Sequence, residues 1–179
     1  MSASIGTSPD KVIYQYKLLK RIRRRPVASL AYIGALVAVC ALLAVVSDLS
    51  VIWWTIASIP AWHALYALLT TALLTRDVEL SEYKSRYGWI VRFPWIGYLP
   101  HTSVPFEQFR FAQLHLLFIG AFVSASLSVW LPKETALMLG FAHLWCMAPR
   151  LYIVAVMRRS SRSGSIVHLG ASEVDLISP

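Results

Sequence analysis

Three histidines and one arginine lie within or beside long apolar stretches, where an ionisable side chain is costly to bury: His63, His115, His143 and Arg150. His63 and His143 lie at similar distances from the starts of their stretches, so they can face each other in a helix bundle. Two imidazoles placed in this way could ligate the iron of one haem b axially. The alternative is a neutral histidine that is hydrogen-bonded to a backbone carbonyl or a hydroxyl of a neighbouring helix. Both interpretations stay open.

The other two ionisable residues lead to different expectations. His115 comes soon after the start of its stretch, so we expect it near the polar surface and away from the other two histidines. Arg150 is followed by apolar residues 151–157. Either its side chain snorkels to the polar surface, or it is buried and needs an acidic partner, for which Glu107 is the candidate.

Four apolar stretches must position these residues: 27–47, 51–74, 111–131 and 135–157. Each is close to the ~20 residues that an α-helix needs to cross ~30 Å of hydrocarbon. Only short turns separate the first from the second and the third from the fourth, so each pair predicts an antiparallel hairpin. The sequence therefore predicts an all-α integral membrane protein, a four-helix transmembrane bundle of two antiparallel hairpins. We expect the second helix to continue to near Gly88.

Composition and charge support a multi-pass membrane protein. Hydrophobic residues make up 57% of the 179-residue chain, and seven of its residues are Trp. Seven basic residues precede the first stretch, five lie between the second and third, three follow the fourth, and Arg150 lies in the second half of the fourth. Only Lys133 lies in an opposite turn. Positive charge retained in the cytoplasm predicts that both termini are cytoplasmic, in a plasma (inner) membrane, and explains the net charge of +8 without a nucleic-acid partner.

Three segments lie outside the four predicted spans, and one of them, the cytoplasmic loop, belongs to the membrane domain of residues 27–157. In the N-terminal arm, residues 1–26, apolar residues recur at helical spacing among basic ones. This pattern predicts a helix on an anionic leaflet, and the alternative is a solvated basic arm. The cytoplasmic loop covers residues 75–110, and the cytoplasmic tail, residues 158–179, is expected to be polar and poorly ordered.

The second half of the loop is rich in aromatic residues, Trp89 and Trp95 among them, and is interrupted by prolines. The prolines exclude a regular helix. Aromatic side chains with scattered charge favour the headgroup region of a membrane, and the alternative is a surface that binds a partner.

Small residues form faces on two of the predicted helices. Gly34 and Ala38 lie on the first, and Gly120, Ser124 and Ser128 lie on the third at spacings of four. Because close packing drives helix association in lipid, these faces predict packing against other helices of this chain, another subunit or a second copy.

The chain contains no nucleotide-binding glycine loop, no CxxC pair, no HExxH motif and no nucleophile elbow. No acidic residue lies within a predicted span, which argues against an ion-coupled carrier. We therefore expect a non-catalytic subunit or accessory factor of a larger membrane complex, without a cofactor. A haem b electron-transfer subunit is the first alternative, and a small channel or carrier is the second.

Residues 60–68, with Trp62, Leu65 and Tyr66, resemble a short segment of the tryptophan-rich sensory proteins. The resemblance implies porphyrin binding. It covers under ten residues, and the very short connection before the second span departs from the pattern of that family, so no family is assigned.

Overall fold

The computed structural model describes residues 17–23, 25–46, 49–76, 81–170 and 173–178. Its four long helices are α1 (Pro26–Val46), α2 (Leu49–Arg76), α3 (Phe106–Leu127) and α4 (Lys133–Arg158). All four are long and apolar enough to cross a membrane, which confirms that part of the prediction.

The predicted all-α fold is wrong, because the chain also forms two antiparallel sheets. The strands are β1 (Lys17–Arg23), β2 (Tyr87–Arg92), β3 (Trp95–Pro100), β4 (Val104–Pro105), β5 (Ile166–Leu169) and β6 (Glu173–Ser178). One sheet has four strands in the order β1-β6-β5-β4, and the other is the β2–β3 hairpin. The protein is therefore a mixed α/β structure, in which the segments outside the helices pair with one another.

The C-terminal segment forms strands because its apolar residues alternate with polar ones. Val167 and Leu169 of β5 are buried, as are Val174 and Leu176 of β6, whereas His168 is exposed. A period of two places one set of side chains on one face of a sheet. The prediction of a poorly ordered tail is therefore wrong for residues 166–170 and 173–178.

The basic N-terminal segment is a strand over Lys17–Arg23, not the predicted interfacial helix. It pairs antiparallel with β6, with Ile22 opposite Val174. The Arg21 side chain binds the Asp175 carboxylate through two hydrogen bonds of 2.8 Å. These partners lie about 150 residues away along the chain, so the spacing of apolar residues in this segment could not reveal them. The rest of the predicted interfacial helix, residues 11–16 and 24, lies outside the described residues.

The aromatic segment of the loop is the β2–β3 hairpin, which pairs Trp89 with Tyr98. Helix α2 is described as far as Arg76, and a 3-10 turn at Lys84–Arg86 leads into the hairpin, whose first strand already begins at Tyr87. The expected continuation of the second helix to near Gly88 is therefore wrong.

The buried side chains form two clusters. Helix–helix contacts among α2, α3 and α4 make the first, with Trp62, Tyr66, Leu116, Cys146 and Met147. In the second, strand residues such as Leu99 and Leu176 pack against the ends of α2, α3 and α4. The sheets therefore cover the end of the bundle at which α1 and α3 begin and α2 and α4 end. We call it the sheet end.

Candidate functional site

Arg150 of α4 lies near the sheet end with only 1% of its surface exposed. Its Nη2 donates a hydrogen bond of 3.3 Å to the Ile96 carbonyl of β3, and its guanidinium carbon lies 5.2 Å from the ring centroid of Tyr66. Nε and Nη1 have no hydrogen-bond partner within the described part of the chain. The snorkelling interpretation is therefore wrong, and neither is the expected ion pair with Glu107 formed. Burying a charge without a counter-charge is costly, so this is an unusual position for arginine.

His63 of α2 lies beside the same strand. Its Nδ1 is buried and has no partner among the described atoms. Gly97 lies next to both His63 and Arg150. A Cβ built on Gly97 would overlap Arg150 Nη2 and would lie 2.6 Å from His63 Nδ1. Gly97 also has a φ of +117°, a conformation that L residues rarely adopt. The backbone of β3 thus comes so close to these two nitrogen-bearing side chains that only glycine fits at position 97.

His143 of α4 is a hydrogen-bonded core residue that joins three helices. Its Nε2 donates to the Leu117 carbonyl of α3 at 3.1 Å, and its Nδ1 accepts a hydrogen bond of 2.6 Å from the Tyr66 hydroxyl of α2. The centroid of the Trp62 ring lies 4.7 Å from that of the imidazole, and Trp62 Nε1 donates a hydrogen bond of 3.2 Å to the Leu139 carbonyl of α4. This arrangement matches the hydrogen-bonded alternative for a buried histidine.

The same geometry does not fit axial ligation of a haem by His63 and His143. A ligating imidazole must present a free nitrogen to the iron, with the macrocycle between the two rings. Both nitrogens of His143 are engaged, and the Tyr66 ring contacts both histidines, with centroid distances of 6.1 Å and 5.8 Å. On its other side, the His143 ring packs directly on Gly120. The residues around His63 and His143 therefore leave neither a free nitrogen on His143 nor room for a macrocycle between the two rings.

The predicted packing residues differ in how far they are buried. In α3, Gly120 and Ser124 are buried against α4, while Ser128 is exposed. A cavity of about 770 Å³ runs along α3 and α4 and is lined by Ser124, Ser128, Lys133, His143 and small or apolar residues. In α1, Gly34 and Ala38 are both exposed.

The remaining predicted site residues are dispersed. His115 is partly buried, and its Nδ1 lies 2.9 Å from the Phe111 carbonyl of its own helix. Trp95 belongs to the core at the sheet end, whereas Trp89 is 58% exposed on the outer side of the hairpin. These three residues therefore do not join Arg150 and His63 in one site.

A basic groove is the feature that the sequence did not reveal. It is a cavity of about 730 Å³ between β1, the start of β3, α1 and α4. Lys20, Arg21, Arg23 and Arg25 line it. Arg21 is bound to Asp175, which raises the pKa of its guanidinium above the usual value. The run of basic residues was visible in the sequence, but the walls of the groove come from elements far apart in the chain.

Among the described residues, no group of three or more His, Cys, Asp and Glu side chains is placed to hold a metal ion. Comparison of the chain with protein-family models, curated proteins and solved structures gives no match.

Proposed function

We propose that the protein is a non-catalytic subunit or accessory factor of a larger membrane complex. All four helices cross the membrane, and both termini lie in the cytoplasm of a plasma (inner) membrane. The chain binds other membrane subunits or a second copy of itself through small-residue helix faces, and it presents a basic and aromatic surface at the sheet end. The asymmetry of the basic residues supports this orientation.

The observation that carries this proposal is the direction of the small-residue face of α1. Tyr32, Leu36 and Val39 on one side of the helix are partly buried, whereas Gly34 and Ala38 on the opposite side are exposed. A Cβ built on Gly34 would have no neighbouring atom within 4 Å. The face that allows the closest approach of another helix is thus turned away from the rest of the chain.

Attachment of α1 to the other helices is limited. Of the residues in an apolar 18-residue segment of α1, only 6% are buried within the protein, against 39% for the corresponding segment of α4. A main link is Tyr32, which stacks on Trp145 at 4.0 Å and donates a hydrogen bond of 2.6 Å to the Trp145 carbonyl. In lipid, tight packing of small residues favours helix association. A further helix on this face would give α1 the packing that its own chain does not supply.

The test is the mass of the assembly extracted from its native membrane in mild detergent, measured by size-exclusion chromatography with light scattering. We expect a protein mass above that of one chain, and we expect Gly34→Leu to reduce it towards a single chain. Val37→Leu, on an exposed apolar part of the same helix, is the matched control and should leave the assembly intact. A wild-type protein that is a lone monomer under these conditions would contradict the proposal.

The orientation has a separate test. A single cysteine placed at residue 133, in an otherwise cysteine-free chain, should react with an impermeant thiol reagent added outside intact cells. One placed at residue 159 should react only after the cells are opened. The reverse labelling pattern would contradict the proposed orientation.

A further inference from the structure

We propose that the basic groove binds the phosphate headgroup of an anionic phospholipid. The proposal goes beyond the membrane-subunit function, because it assigns a ligand to a site that the small-residue faces do not include. It depends on three properties of the groove: its free positive charge, its apolar walls and its place in the fold.

The charge of the groove is positive and largely uncompensated. Lys20, Arg23 and Arg25 form no ion pair with any described residue, whereas Arg21 is neutralised by Asp175 and by Glu173, whose carboxylate oxygen lies 3.4 Å from Nη1. None of the lining residues is acidic. Three cations around one concave space attract an anion with several acceptor oxygens, and phosphate is such a group.

The helix that begins at the groove adds to this positive potential. Helix α1 starts at Pro26, directly after Arg25, and its first turn contains no acidic residue. The backbone N–H groups at the start of a helix carry partial positive charge. In the structure, the Ser29 hydroxyl of this turn is 3.4 Å from the Arg25 carbonyl.

The opposite walls of the groove are apolar. They include Ala28 and Tyr32 of α1 and Pro149, Tyr152 and Val156 of α4. A free phosphate would leave these walls without contacts, whereas the glycerol and the first acyl carbons of a lipid can cover them. The volume of about 730 Å³ lies within the ~300–1,000 Å³ typical of small-molecule sites.

The place of the groove matches the place of a headgroup. The groove lies between the start of α1 and the last turns of α4, at the boundary between the apolar helices and the strands. In a bilayer this boundary is at the depth of lipid phosphates, and the charge asymmetry puts it in the cytoplasmic leaflet, which carries the anionic lipids. A phospholipid therefore fits the charge, the apolar walls and the depth together.

The experiment measures lipid binding to the purified full chain by native mass spectrometry, with titration of phosphatidylglycerol, phosphatidylcholine or inorganic phosphate. We expect phosphatidylglycerol to bind more tightly than phosphatidylcholine. The triple variant Lys20→Gln/Arg23→Gln/Arg25→Gln should weaken phosphatidylglycerol binding by about tenfold or more. The control Arg92→Gln/Arg158→Gln/Arg159→Gln removes the same number of charges from exposed positions outside the groove and should weaken it much less.

A second variant keeps the charges and fills the apolar wall. Ala28→Trp should also weaken phosphatidylglycerol binding, and the circular dichroism of each variant shows whether it is folded. Equal losses in the groove and control triple variants would overturn the proposal, because the attraction would then be nonspecific. Saturable binding of inorganic phosphate that phosphatidylglycerol does not displace would overturn it as well, in favour of a soluble phosphate ligand.

Discussion

Replacing Gly97 by alanine tests how closely β3 is held against α2 and α4. The added Cβ would overlap Arg150 Nη2 and come within 2.6 Å of His63 Nδ1, closer than real Cβ contacts. The new side chain would also have to accept a φ of +117°. Two independent penalties therefore act at one position, and the affected contacts join the hairpin to both helices.

The magnitude follows from these two penalties. An L residue in a sparsely populated backbone conformation costs about 1–3 kcal/mol. Extra bulk in a closely packed site costs about 1–3 kcal/mol more, although movement of the Arg150 side chain can relieve part of it. We therefore expect Gly97→Ala to lower the free energy of unfolding by about 2–5 kcal/mol.

The assay is reversible unfolding in mixed micelles with increasing SDS mole fraction, followed by tryptophan fluorescence. Gly88→Ala is the matched control in the same hairpin, because its φ is not positive and its Cβ would meet only the exposed His101 ring, at 3.3 Å. We expect this control to cost less than about 1 kcal/mol. If Gly97→Ala is no more destabilising than Gly88→Ala, then the close approach of β3 to Arg150 is wrong.

Three further predictions use the same unfolding assay or a spectrum. Gly120→Ala should cost about 1–3 kcal/mol because its Cβ would overlap the His143 ring. Gly140→Ala, which meets nothing within 4 Å, should be neutral or slightly stabilising, and equal costs at the two positions would contradict the packing of α3 on α4. Arg150→Met should change the free energy of unfolding by less than about 1 kcal/mol, because the lost hydrogen bond is offset by removal of a buried, largely unpartnered charge. A loss above about 3 kcal/mol would show that Arg150 has a strong partner. After incubation with haem and removal of unbound haem, the purified protein should show no Soret band, since both nitrogens of His143 are engaged. A band that disappears in both His63→Ala and His143→Ala would refute this reading of the site.

The helices were predictable because their signal is local. Each of the four observed helices overlaps a predicted stretch, and the ends differ by up to five residues, as at Phe106 where the third helix begins before residue 111. Uninterrupted apolar composition over ~20 residues needs no knowledge of the rest of the chain.

The C-terminal hairpin also has a local signal in the sequence. Val167, Leu169, Val174 and Leu176 alternate with polar residues on both sides of Gly170, a pattern typical of two short strands and a turn. The polar composition of the tail favoured disorder instead. Strand β1 is different, since its apolar residues also fit a helix and only its pairing with β6 decides the conformation.

The candidate site was predictable only as a set of residue types. Arg150, His63 and His143 were identified as candidate site residues because they are ionisable and lie within apolar stretches. Their neighbours and hydrogen-bond acceptors belong to other elements: Ile96, Gly97 and the Leu117 carbonyl. Because every residue has a backbone carbonyl, the sequence does not show which carbonyl accepts a given hydrogen bond. A missing counter-charge is likewise a property of the assembled interior.

By itself, the sequence determined four helices able to cross a membrane, the asymmetry of the basic residues, and the identity of the ionisable groups within the apolar stretches. These properties depend on composition and on the hydrogen-bonding that each helix satisfies internally. Only the tertiary structure decided that the segments at both ends of the chain pair in one sheet, that Arg150 is buried against β3, that His143 is hydrogen-bonded across three helices, and that four basic residues line a groove. The physical reason is that strand pairing, burial and side-chain partners are contacts between residues distant in the chain, which the local pattern of apolar and polar residues does not specify.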